Sequence, residues 1–191
     1  MAYKVMTEGM EELIQAMDQL GEAGRGAAAM GLYEAAGVYA DEVSRAVQGI
    51  ATEPFQYAAG GRKRQPSPEE KAALQDAIGI AKFDKNGLSV NTGIGYAKAG
   101  YVVVGGTRSK KGRTNYRADL KTGRVMHASQ AGKGSVNVKP IALIANAINK
   151  GTSFMKAQPY FRKATARAND KAEAAFAAKA IEVLEKVIKG N

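Results

Sequence analysis

The chain has 191 residues, 45% of them apolar, with no cysteine, one histidine and a formal net charge of +10. That length supports one domain, burying roughly 70% of the surface its unfolded chain exposes. Zero cysteine excludes disulfides and thiolate metal centres, and the single imidazole, His127, excludes zinc sites built from several histidines and any positioned Ser–His–Asp relay.

The N-terminal string MAYKVMTEGMEE lacks a basic region followed by an apolar block, so no signal peptide is expected. No run of eighteen apolar residues occurs, so no membrane span is expected either. Met10, Leu13, Ile14, Met17 and Leu20 recur at helical spacing. With Thr7 as cap, Glu8, Glu11 and Glu12 at the positive dipole end and Gly21 as stop, they predict a first helix. A longer helix follows from about Glu22 to Ile50. Its predicted apolar face is Met30, Tyr33, Gly37, Ala40, Val43, Val47 and Ile50, and Glu34, Asp41, Glu42 and Arg45 lie opposite. Gly24, Gly26, Gly31 and Gly37 each cost about 1 kcal/mol against Ala there. Close packing against another helix of the domain, or against another subunit, accounts for them.

Residues 52–68 form a predicted loop, punctuated by Pro54, Gly60, Gly61 and Pro66 and carrying the small cationic cluster Arg62, Lys63 and Arg64. Ser67, Pro68, Glu69 and Glu70 give a helix start of cap, proline and acids, predicting a short helix to about Ala77. The acidic pairs Glu11-Glu12 and Glu69-Glu70 are explained by helix dipoles without catalysis. Ile78, Ile80 and Phe83, then Leu88 to Tyr96, alternate as strands around the hairpin signal Asp84-Lys85-Asn86-Gly87. Tyr101 to Val104 is a third strand, apolar enough to be central in a sheet.

The run 105–139 holds nine Lys or Arg against one acid, Asp119, and so carries a net +8 of the chain's formal +10. Its glycines and few large apolar residues predict a long basic insertion that does not fold unaided, with His127 as a solvated loop residue. Arg108, Lys110, Lys111, Arg113, Arg117, Lys121 and Arg124 are its candidate contacts to a partner. Phosphates and acidic protein surfaces both suit such a segment. Tyr116 stands alone, which is too little for a base-stacking platform. The strings GGTRSKKGRT and TGIGYAKAG lack the spacing of a phosphate loop or a dinucleotide fingerprint, so no cofactor is expected. Beyond the insertion, Pro140 to Asn149 fits helix or strand. Gly151, Thr152 and Ser153 break it, and Pro159 opens a last helix reaching Lys189. Phe161, Ala164, Ala168, Ala172, Ala175, Phe176, Val183, Leu184 and Val187 supply that helix's apolar side.

The string from Gly151 to Ala164, GTSFMKAQPYFRKA, resembles the G-T-S-x-x-x-A-Q-P-[FY]-[FL]-R-x-A signature of the minor tail component family of long-tailed bacteriophages, proteins of the neck or head-proximal tail. Gly9-Met10-Glu11-Glu12-Leu13 is similar to that family's opening helix, and Leu74 to Phe83 to its L-x-x-x-I-x-I-x-K-F entry into the sheet. The likeness spans roughly residues 5–104 and 140–189. Gly151, Thr152, Ser153, Gln158, Pro159, Tyr160 and Phe161 carry the signature. They suit either a corner holding the core, with Tyr160 and Phe161 anchoring the last helix on the sheet, or a subunit contact.

The whole chain, 1–191, is therefore expected to be one α+β domain, with a small, mainly antiparallel sheet packed by N-terminal helices and a long C-terminal helix. The resemblance implies a structural virion protein, assembled in the host cytoplasm, that completes the tail and helps join it to the head. It would form a ring of identical subunits, hexameric by the family's place in a tail. Implied neighbours are head-closure or tail-terminator and tail-tube proteins and DNA in the channel, with no membrane. A free nucleic-acid-binding protein using the 105–139 arm is the alternative. With no triad, metal cluster or phosphate loop in the sequence, turnover is not expected.

Overall fold

The structure, a computed structural model, describes residues 21–54, 62–80, 92–94, 100–103, 116–119, 121–122, 124–131 and 135–189. In chain order these form helices α1 (Glu22–Gln48) and α2 (Pro68–Asp76), then strands β1 (Ile78–Ile80), β2 (Thr92–Ile94), β3 (Tyr101–Val103), β4 (Tyr116–Asp119) and β5 (Val125–His127). A 3-10 turn (Ala128–Gln130), strand β6 (Ser135–Pro140) and helices α3 (Ile141–Lys150) and α4 (Tyr160–Ile188) complete the order. The architecture is α+β, as the sequence predicts. The first predicted helix and the Asp84–Gly87 turn lie outside the described residues.

Small side chains decide the largest contact of the molecule. Ala27, Ala28 and Ala35 of α1 share one buried cluster with Ala168, Ala172, Phe176 and Ala180 of α4. Where Gly31 meets Phe176, a Cβ would lie 2.9 Å from the Phe176 carbonyl oxygen and 3.0 Å from its ring. Further along α1, the Tyr39 hydroxyl donates to Asn169 Oδ1 at 2.8 Å, so the two helices run antiparallel. The predicted apolar face holds at Val43, Val47 and Ile50, which are buried, and is corrected elsewhere. Met30 and Tyr33 are half exposed, while Glu42, predicted to face outward, is buried. The closest approach of two backbones selects glycine and alanine, and that requirement outweighs the larger residues one step around the helix. Glu42 Oε1 accepts from Lys171 Nζ and from Arg45 Nη1, both at 2.7 Å. The Lys171 hydrogen bond, followed by the charges of Lys171 and Arg45, holds its carboxyl below the usual range against the opposing effect of burial.

A second core gathers Val43 and Val47 of α1, Ile50 just beyond its end, Leu74 of α2, Ile141, Ile144 and Ile148 of α3, and Phe161 and Ala164 of α4. The segment Pro140 to Asn149, open between helix and strand in the sequence, is the last residue of β6 followed by α3.

The sheets are antiparallel. β1 pairs β2 with Ile78 opposite Ile94 and Ile80 opposite Thr92. The second sheet has the order β3-β6-β4-β5. β3 therefore lies at an edge among the described strands, not at the predicted centre, and β6 takes an inner place, pairing Val103 with Val138 on one side and Ala118 with Val136 on the other.

The predicted soft insertion is corrected over its second half. Residues 116–119, 125–127 and 135–140 are strands, and Ala118 and Val138 are fully buried. β4 and β6 each bury one residue and β5 none, so their apolar content is too low to mark them in sequence. Ladder hydrogen bonds and neighbours on the same face supply what composition lacks. Asp119 Oδ1 closes the β4–β5 connection by accepting from the Lys121 and Thr122 amides at 2.7 and 3.1 Å.

Candidate functional site

Residues 151–161 turn the chain from α3 into α4, and every signature residue except Ser153 has a structural task there. Gly151 ends α3 with φ +76, a conformation disfavoured for residues with a Cβ, and a Cβ at this position would lie 3.0 Å from Ala157. Thr152 Oγ1 accepts from the Met155 amide at 3.0 Å and the Phe154 amide at 3.3 Å, forming a side-chain-closed turn. Ser153 is exposed. Gln158 acts as a surrogate strand: its Oε1 accepts from the Ala51 amide, and its Nε2 donates to the Ala51 carbonyl, both at 2.9 Å. Its amide also donates to the Ile148 carbonyl at 2.7 Å. Pro159 occupies the cap position of α4, whose Phe161 amide is satisfied by Asn149 Oδ1 at 3.2 Å. Tyr160 and Phe161 are buried, and they join the cluster of helices α1, α2 and α3, to which β1 adds a partly buried Ile78. That corrects the expectation that they anchor α4 on the sheet.

The 62–64 cluster docks against this corner. The Arg64 amide donates to the Phe154 carbonyl and the Lys156 amide to the Arg64 carbonyl, each at 2.9 Å, so the two segments lie parallel with Arg64 opposite Met155. The Arg64 guanidinium turns inward onto Glu70, Nη1 to Oε2 at 2.7 Å and Nη2 to Oε1 at 2.8 Å. Both side chains are only 7% exposed. Glu70 also completes a capping box with Ser67 and is approached by Lys139 Nζ at 3.4 Å. Burial pushes the Glu70 carboxyl up. The hydrogen bonds from Arg64 and the Ser67 amide, with the charges of Arg64 and Lys139, outweigh it and leave the pKa below the ordinary value. Sequence reasoning found the cap but not the buried pair, because the 62–64 cations and Glu70 look like separate surface features in one dimension.

Of the seven cations expected to meet a partner, Arg108, Lys110, Lys111 and Arg113 lie outside the described residues. Lys121 and Arg124 are exposed at the β4–β5 connection, whereas Arg117 is half buried and donates from Nη2 to the Ser135 carbonyl at 2.8 Å. His127 is exposed, but at the end of β5 rather than in a loop, with its Nδ1 2.8 Å from Ser129 Oγ and its ring edge-on to Tyr116. Among the described residues no three His, Cys, Asp or Glu side chains form a group able to hold a metal ion. No described helix is long and apolar enough to cross a membrane.

Two surface features remain. One is apolar: Met30, Tyr33, Ile181, Val187 and Ile188 are 48–83% exposed toward the end of the helix pair where α1 begins and α4 finishes. The other is cationic and surrounds the 151–161 corner. The chain matches no protein-family model, no curated protein and no solved structure.

Proposed function

We propose that this chain is a structural subunit that works by assembly: a tail-completion protein of a long-tailed phage, forming a closed ring at the neck that helps join tail to head. The observation that carries the reading is the set of exposed apolar side chains, Met30, Tyr33, Ile181, Val187 and Ile188, toward the end of the described α1–α4 pair where α1 begins. Large apolar side chains exposed toward one end of a helix pair suit an interaction site. A head-to-tail contact between identical subunits that closes under rotation gives a ring. The resemblance of 151–164 to the minor tail signature supports the same reading. Those residues build a rigid corner that holds α4 at a fixed angle to α1, as a ring subunit requires. Head-closure or tail-terminator proteins, tail-tube proteins and DNA in the channel are the neighbours this role implies.

The test is genetic and particulate. A phage carrying this coding sequence is expected to yield unjoined heads and tails when the sequence is deleted, and to recover joined, infectious particles when it is supplied in trans. Deletion of 105–115 is expected to lower the titre of joined particles by at least about ten-fold, because that segment and the β4–β5 connection carry the cations available to a neighbour. Normal particles without the protein would overturn the proposal.

A further inference from the structure

The corner between α3 and α4 carries a second cationic surface, independent of the 105–139 arm. From residue 150 to 169 the chain has five Lys or Arg and no acid. Lys150 ends α3, Lys156 lies in the turn, and Arg162 and Lys163 stand in the first turn of α4; all four are exposed. The parallel segment brings Arg62 and Lys63, also exposed, alongside Phe154 and Lys156. None of these six pairs with a carboxylate among the described residues, whereas the neighbouring Arg64 turns inward to Glu70. Backbone bonds tie the three pieces together: Arg64 amide to Phe154 carbonyl, Lys156 amide to Arg64 carbonyl, and Gln158 amide to Ile148 carbonyl at 2.7 Å. The charges are therefore held in one place by rigid backbone.

We infer that this corner is a docking surface for the phosphate backbone of duplex DNA. Four of the six cations are lysine, and among the described residues the only large apolar side chain exposed between them is Phe154. The fully buried centre of a protein–protein interface is depleted in lysine and rich in aromatic and aliphatic area, the reverse of this surface. Phe154, the one exposed aromatic ring among the described residues here, is too little to stack successive bases of a single strand. Lysines as point charges on a firm scaffold fit the regularly spaced phosphates of a duplex, and such contacts position a protein without reading sequence. The surface does not rest on the assembly reading, which is tested by counting particles.

Fluorescence anisotropy with a labelled random duplex of about 25 base pairs, titrated across salt, tests the inference on the full chain. Engagement of about five phosphates gives a slope of log affinity on log salt near −4 to −5. The triple variant K156Q/R162Q/K163Q is expected to remain folded by circular dichroism, to lose at least about thirty-fold in affinity and to flatten the slope by about three. If the triple variant does not fold, K63Q/K150Q carries the same comparison with a slope change of about two. The control K186Q/K189Q, at the far end of α4 where both lysines pair with α4 glutamates, is expected to change affinity less than about three-fold. The inference is overturned by no binding near 50 mM salt, by corner variants that bind like the parent, or by a control that loses as much as the triple variant. Polyglutamate of matched charge displacing the duplex at equal concentration would also overturn it, since the surface would then be one for acidic protein.

Discussion

Gly31 is where α1 and α4 come closest, and its neighbours make the consequence of a methyl group readable in sign as well as size. The atom that a Cβ would strike is the Phe176 carbonyl oxygen, part of a helix backbone that cannot swing aside. Gly31→Ala gains about 1 kcal/mol of helix propensity but forces the two helices apart. Overpacking of this kind costs about 1–3 kcal/mol, so a net loss is expected. Gly26 and Gly37 have nothing within 4 Å of a built Cβ. Gly26→Ala and Gly37→Ala are therefore expected to stabilise by about 0.5–1 kcal/mol each. Urea midpoints at constant slope would show the opposite signs. Glu70 supplies a pH signature at the same scale. Its folded pKa lies below the ordinary carboxylate value, so its contribution is fully present above about pH 4.3 and is lost as pH falls through the folded pKa. Glu70→Gln is expected to cost about 3 kcal/mol at neutral pH by leaving buried Arg64 without its charge partner. It should also flatten the fall in stability as pH drops below about 4.3, and denaturant titrations at several pH values measure both effects.

Elements differ in how plainly the sequence announces them. α2 is legible because Ser67, Pro68 and Glu70 are local signals whose chemistry closes within four residues. The 29-residue α4 is legible because Ala164, Ala168, Ala172 and Phe176 repeat at helical spacing and all are buried. The inward face of α1 is legible at Val43 and Val47 but lies one step around the helix nearer its start, since hydrophobic size favours Met30 and Tyr33 whereas distance between backbones favours Gly31 and Ala35. Strands β4, β5 and β6 were invisible for a different reason. Their stability comes from partners far along the chain, such as Ala118 against Val136, and no local composition records such a pairing. The candidate corner was legible as a string, but Gln158 reaches across 93 residues to Gln65 and 107 to Ala51, and Arg64 docks on Phe154 and Lys156 from similarly far along the chain. Val138 gives a direct test of the sheet. Val138→Asn places an unsatisfied amide at a fully buried site, at a cost of about 1–3 kcal/mol. Limited trypsin digestion is expected to cut after Arg117, Lys121 and Arg124 about ten-fold faster or more in the variant than in the parent, provided opening and reclosing are fast relative to cleavage. Equal rates in the two proteins would mean that the insertion is open throughout.

At the scale of the molecule, the helix pair combines a firm end and an apolar end. The firm end is packed by α2, α3 and the 151–161 corner, with Val47, Leu74 and Ile148 at or near zero exposure. Toward the other end, α4 runs on to Ile188, and the helix, roughly 43 Å long, presents Ile181, Val187 and Ile188 there. Charge on these exposed positions should leave the folded subunit almost unchanged, because surface substitutions away from caps and cores stay within about 0.5 kcal/mol. The same charge should break a contact between subunits, where an apolar side chain entering a desolvated interface contributes one to several kcal/mol. Met30→Glu combined with Ile188→Glu is therefore expected to keep the parent's thermal midpoint within about 2 °C while shifting the protein from ring-sized species to monomer in native mass spectrometry at micromolar concentration. The shift should persist at high salt, because it removes apolar burial rather than an ion pair. A variant that assembles as the parent does would place the ring contact elsewhere and leave the apolar end without a role in assembly.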